Sequence, residues 1–170
     1  MSTIPDALQM VLVPENMEML ERHGIFSETE IRSRYEITME NYVRTVRIEA
    51  LTMADMAKRE ILPAVMRYTG KLAEGLNEKK KAVPALSFRP ESRLLEQLSL
   101  ITDEKDAAIE DLEESTDSRS GEDITGQAYF IRDVLLGKME ALRRVCDEAE
   151  TLTAADFWPF PTYGELLFGV

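Results

Sequence analysis

The chain has 170 residues, of which 44% are hydrophobic, and 32 Asp and Glu stand against 20 Lys and Arg for a formal net charge of -12. A chain of this length and apolar content builds one core of ordinary size, so a single domain spanning 1–170 is the expectation. A field this acidic repels phosphate backbones and anionic lipid surfaces, which excludes nucleic acid and membrane as partners, and no apolar run reaches the roughly 18 residues a membrane span needs.

Seven Pro and eight Gly are few for this length. Leu, Glu, Ala, Met, Lys and Arg dominate, and all of them favour helices. The fold class that follows is all-α. The N-terminus lacks the basic and apolar regions of a secretory signal. One cysteine, Cys146, cannot close an internal disulfide, and both observations point to the cytoplasm.

In chain order, Pro5 and Pro14 punctuate the first stretch, which reads as an irregular segment over 1–13. Glu15 to His23 reads as two helical turns closed by Gly24, with His23 suited to the negative end of the helix dipole. Ser27 and Glu30 have the spacing of a capping box, so a long helix is expected to begin there. From Ile31, apolar residues recur in steps of three and four through Tyr35, Met39, Tyr42, Val46, Ala50, Met53, Ala57, Ile61, Val65, Tyr68 and Leu72. Unbroken to Lys80, this helix would be roughly 80 Å long. A compact chain of this size has a radius of gyration of about 15 Å, so the helix must bend or the domain must be elongated. Pro63 lacks an amide hydrogen and its ring crowds the carbonyl four residues back, which predicts a kink or break near Leu62.

Ser87 to Glu91, with Pro90 suited to the first helical position, starts the next helix. Its stripe runs Leu94, Leu98, Ile101, Ala108 and Leu112, and Lys105 interrupts it. Ser115 to Gly121 reads as a mobile loop. The acidic run from Asp103 to Asp123 reads as a solvated helix face and loop rather than a metal or basic-partner site. A further stripe, Ile124, Ala128, Ile131, Leu135, Met139, Leu142, Val145 and Ala149, closes near Leu152. The expected architecture is an elongated up-and-down helical bundle over 14–152, followed by an aromatic and proline-rich tail over 153–170 packed on a surface.

No constellation carries chemistry. One His and one Cys cannot make a zinc site, and no Glu-x-x-His pair supports a di-iron bundle. The glycines at 121 and 126 lie among acidic residues that repel phosphate. Catalytic, cofactor-binding and metal-binding residues are therefore all expected to be none. The tail packs four aromatics and two prolines into residues 156–163, and buried aromatics dominate contact energies. Phe157, Trp158, Phe160, Tyr163, Leu167 and Phe168 are the residues expected to make an interface with another chain or to seal the bundle's own core.

Two groups of residues carry a family resemblance. In the long helix they are Tyr35-Glu36 to Asn41-Tyr42, Ile48 to Met53 and Ile61-Leu62-Pro63-Ala64-Val65. At the end they are Trp158-Pro159-Phe160-Pro161-Thr162-Tyr163-Gly164-Glu165-Leu166-Leu167-Phe168, the most specific stretch. Together they resemble the C-terminal domain of class III glutamine synthetases, over about Pro14 to Val170. The resemblance implies a helical domain that follows the catalytic portion of a cytoplasmic ligase making glutamine from glutamate, ammonia and ATP with magnesium. The nucleotide and metal sites of that family lie upstream, so no cofactor is expected in this chain, and Met1 is expected to mark the edge of a fragment or of a split protein. The implied role is a non-catalytic accessory or assembly domain, with the catalytic portion of the synthetase or a second copy of itself as partner. The alternative is a stand-alone acidic helical adaptor that recruits partners through helix packing.

Overall fold

The computed structural model describes residues 3–117, 123–161 and 163–168, and is all-α, with no strand among the described residues. The contacts divide the chain into two compact units: residues 1–51 with 113–138, and residues 52–112 with 139–170. Three helices, Glu28–Met56, Arg89–Asp117 and Leu136–Leu152, cross that division in sequence, so each unit assembles from segments far apart in the chain.

In the first unit the segment expected to be irregular forms helix α1, Ile4–Val11. The side chain of Asp6 accepts from the Thr3 amide at 3.2 Å and from the Thr3 hydroxyl at 2.6 Å. Pro5 occupies the first turn, where its missing amide hydrogen leaves nothing unsatisfied. It is a helix starter here rather than a breaker. Helix α2, Pro14–Arg22, ends with His23 at its cap and Gly24 in the left-handed region at φ 62°, the turn that its sequence predicts.

Helix α3, Glu28–Met56, starts at the expected capping box. Glu30 accepts from the Ser27 amide and hydroxyl, both at 2.8 Å, and these bonds hold its carboxyl below the usual range. The α3 residues Ile31, Met39, Val43, Val46 and Ala50 are buried. So are Ala128 in helix α6, Ile124–Phe130, and Ile131 and Leu135 in the π turn Ile131–Leu135 that follows. Asp123 caps α6 through the Gly126 amide at 3.2 Å.

Helix α5 runs Arg89–Asp117, which corrects the loop expected from Ser115: residues 115–117 are helical, and Ser115 and Thr116 are buried. Polar partners make that burial tolerable. Arg47 donates to the Thr116 carbonyl at 2.9 Å and Lys138 donates to the Ser115 hydroxyl at 2.6 Å. Residues 118–121 of the expected loop lie outside the described residues.

In the second unit the helix meets Pro63. It does not stop there: a π turn, Ala57–Ile61, leads directly into helix α4, Leu62–Ala82, giving one long kinked helix. The Leu62 amide donates to the Ala57 carbonyl, five residues back. Widening the ladder just before a residue that cannot donate is how the helix passes the proline. Helix α7, Leu136–Leu152, has its residues from Met139 onward in this unit. The core consists of Ile61, Val65, Leu98, Ile101, Val145 and Ala149, contributed by the π turn and helices α4, α5 and α7.

The capping box gives a direct test in the first unit. Ser27→Ala removes the hydroxyl from that cap and should lower the stability of the chain by about 1 kcal/mol in urea unfolding, with helix content unchanged.

Candidate functional site

The aromatic tail is built from the end of α7 outward. Thr153 is buried, and both its amide and its hydroxyl donate to the Ala149 carbonyl, at 3.0 and 2.7 Å. The chain then leaves the helix through an extended Ala154 and a single 3-10 turn, Ala155–Phe157. Trp158 is extended at ψ 132°, the conformation that a following proline favours. The rings are thereby laid along the core of the second unit.

Phe157 meets Tyr68 of α4 with ring centroids 5.3 Å apart and planes at 50°. Trp158 meets Phe160 edge to face at 6.4 Å and 72°. Trp158 and Phe160 are half-buried and pack against the core, together with Tyr68, Leu72, Leu94, Cys146 and Leu152. Both ring geometries lie in the range where aromatic pairs attract beyond their buried area.

Of the six tail residues named from the sequence, the structure brings three, Phe157, Trp158 and Phe160, onto the chain's own second unit. Leu167, on the short helix α8, Tyr163–Phe168, is 72% exposed. The side chains of Tyr163 and Phe168 lie outside the described residues. Beneath the tail is a cavity of about 300 Å³ lined by Ile61, Cys146, Asp147, Glu150, Trp158, Phe160, Pro161 and Leu166.

Sequence reasoning registered Lys105 only as an interruption of an apolar stripe. It is in fact fully buried on α5, and its Nζ has no hydrogen-bond partner. Burial pushes its ammonium below the usual lysine range, partly offset by Cys146. Burial likewise raises the Cys146 thiol, partly offset by Lys105. The clue in sequence was its place four residues from both Ile101 and Ile109 on the buried face.

Among the described residues, no group of three or more His, Cys, Asp or Glu is placed to hold a metal ion. No helix among the described residues is long and apolar enough to cross a membrane.

An all-helical domain whose aromatic tail completes one of its own cores is the class these observations define. Residues 1–80 match the family described as the glutamine synthetase C-terminal domain. Over its full length the chain is 32% identical to a glutamine synthetase of Butyrivibrio fibrisolvens, covering 24% of that protein. It is 25% identical to the type-3 glutamine synthetase of Dictyostelium discoideum and 26% identical to a glutamine synthetase of Bacteroides fragilis, and covers 23% of each. The chain is thus similar to the C-terminal domain of glutamine synthetases, and spans about a quarter of the length of these relatives.

Two substitutions test the packing. Trp158→Ala should destabilise the isolated chain by roughly 2–3 kcal/mol, below the cost of a fully buried Trp because the ring is half-exposed, and should lower its melting temperature. Lys105→Met removes an unpaired buried ammonium at similar volume and should stabilise the chain by about 1–3 kcal/mol at neutral pH. The folded-state pKa of Lys105 is depressed, so its penalty is complete below that value and fades as pH rises toward the unfolded value. The advantage of Lys105→Met over wild type, read by urea unfolding, should therefore shrink in alkaline solution.

Proposed function

We propose that this chain is the non-catalytic accessory domain of an ATP-dependent glutamate-ammonia ligase and serves to assemble with the enzyme's catalytic portion. The observation that carries this reading is the match over the whole chain to about a quarter of proteins named glutamine synthetase. In this reading, magnesium, ATP, glutamate and ammonia are handled by the catalytic portion, in the cytoplasm, and the present chain contributes to nitrogen metabolism through packing.

The tail supports a division of labour within the domain. Phe157, Trp158 and Phe160 are engaged on the second unit's core, whereas Leu166 and Leu167 are 65% and 72% exposed. The last short helix is therefore the part of the tail with apolar surface to offer a partner.

The test is to mix this chain with the catalytic portion of a related synthetase, following complex size by light scattering and glutamine formation from glutamate, ammonia and ATP. Stable association that raises assembly or activity is expected. Leu166→Glu with Leu167→Glu should weaken association at least about tenfold while leaving the melting temperature of the isolated chain unchanged. A chain that stays apart from the catalytic portion would shift the reading to a stand-alone helical adaptor.

A further inference from the structure

Two arginines of the second unit stand against the electrostatics of their own helix. Helix α4 ends on Lys79, Lys80 and Lys81, which suit the negative end of its dipole, and Lys79 is engaged by Glu91 at 3.1 Å. Helix α5 then opens on Arg89, a cation at the positive end of a dipole, with Arg93 of like charge four residues on. Among the described residues, the side chains of Lys80, Arg89 and Arg93 have no hydrogen-bond or ion-pair partner that would offset this.

All three line an open cavity of about 740 Å³ at the connection between α4 and α5. That volume lies in the range of small-molecule sites. Leu86 and Phe88 supply an apolar wall, Leu86 being 60% exposed and Phe88 half-buried. Pro84 and Pro90 also line it, and the Leu86 amide donates to the Val83 carbonyl at 3.2 Å, so the connection holds its shape without a ligand. Ser92 adds a hydroxyl, and Glu96 sets one acid against the three cations.

Residues 79–93 hold five of the chain's 20 Lys and Arg and one acid, a local charge of +4 within a total of -12, so the remainder carries -16. At about 0.1 M salt the Debye length is about 10 Å, so a ligand that fits the cavity meets the local charge and is screened from most of the remainder. An extended nucleic acid meets the whole acidic field instead. The anion selected here is a small one.

We infer that this cavity is a binding site for a small phosphorylated ligand with a flat apolar body, its phosphates held by Lys80, Arg89 and Arg93 and its body by Phe88 and Leu86. Two guanidinium forks and an ammonium offer more donors than one carboxylate can accept, and match a group with several anionic oxygens. The Phe88 ring offers a flat body a face to stack on. Such a ligand also relieves the repulsion between Arg89 and Arg93 and brings negative charge to the start of α5, which the helix dipole favours. The inference uses only residues of the second unit and does not depend on assembly with a catalytic portion.

The experiment is isothermal titration calorimetry of the 170-residue chain in about 0.1 M salt with three probes: adenosine diphosphate, inorganic pyrophosphate and adenosine. Adenosine diphosphate is expected to bind with a Kd of about 1 mM or tighter, and the other two at least about tenfold more weakly, since each lacks one half of the recognition. Arg89→Gln with Arg93→Gln should weaken adenosine diphosphate by about tenfold or more while leaving the melting temperature unchanged or raised, because the arginines oppose their own helix. Glu96→Gln should tighten it by about twofold or more. No binding of adenosine diphosphate up to about 5 mM, equal binding of pyrophosphate, or binding that survives loss of both arginines would overturn the inference.

Discussion

The π turn at Ala57–Ile61 is the local feature on which the second unit depends. Pro63 cannot donate to the helical ladder, and a helix that simply broke there would separate Ile61 from Val65. Widening the preceding turn keeps the backbone helical and inserts a residue into the winding, which rotates the face presented beyond it. Ile61, Leu62, Ala64 and Val65 are consequently all buried within five positions. Ile61 and Val65 of this patch pack with Leu98, Ile101, Val145 and Ala149, and Trp158 and Phe160 of the tail pack against that cluster.

Polar groups are handled differently in the two units. In the first, charge is used as fastening: Arg132 donates to Asp6 and to Asp133 at 2.6 Å each and stacks over the Tyr129 ring, so α1 is tied to the π turn after α6. The carboxyls of Asp6 and Asp133 are held low by their hydrogen bonds, Asp6 foremost by the Thr3 hydroxyl and Asp133 by Arg132. Small hydroxyl residues at the end of α5 are buried against Arg47 and Lys138. In the second unit one ammonium, Lys105, is buried without such a partner. Its cost falls on stability rather than on a site, since burial disfavours the charged form and Cys146 only partly offsets it.

Much of the local structure was legible because it rests on short-range rules. The capping box at Ser27 and Glu30, the glycine turn after His23, the proline effect near Leu62 and the end of α7 near Leu152 each depend on residues within one or two turns. The misreadings came from residues whose meaning depends on distant partners. Pro5 punctuates a chain or starts a helix according to whether a cap forms next to it, and Thr3 with Asp6 decides the latter. Ser115 and Thr116 suit a loop until Arg47 and Lys138 arrive from other helices to bond them. The tail showed the same limit: its aromatics announced packing, and the partner ring of Phe157 is Tyr68, nearly ninety positions earlier in the chain.

By itself the sequence determined an all-helical fold, its apolar stripes, its caps and the family signature, because helical periodicity and capping act over a few residues and survive any tertiary arrangement. Tertiary structure alone decided that the contacts fall into two units, that the proline is passed by a π turn, that Lys105 is enclosed and that the tail rings belong to their own core. Those outcomes depend on which faces meet at long range, and a stripe of apolar residues specifies that a face will be buried without specifying what will bury it.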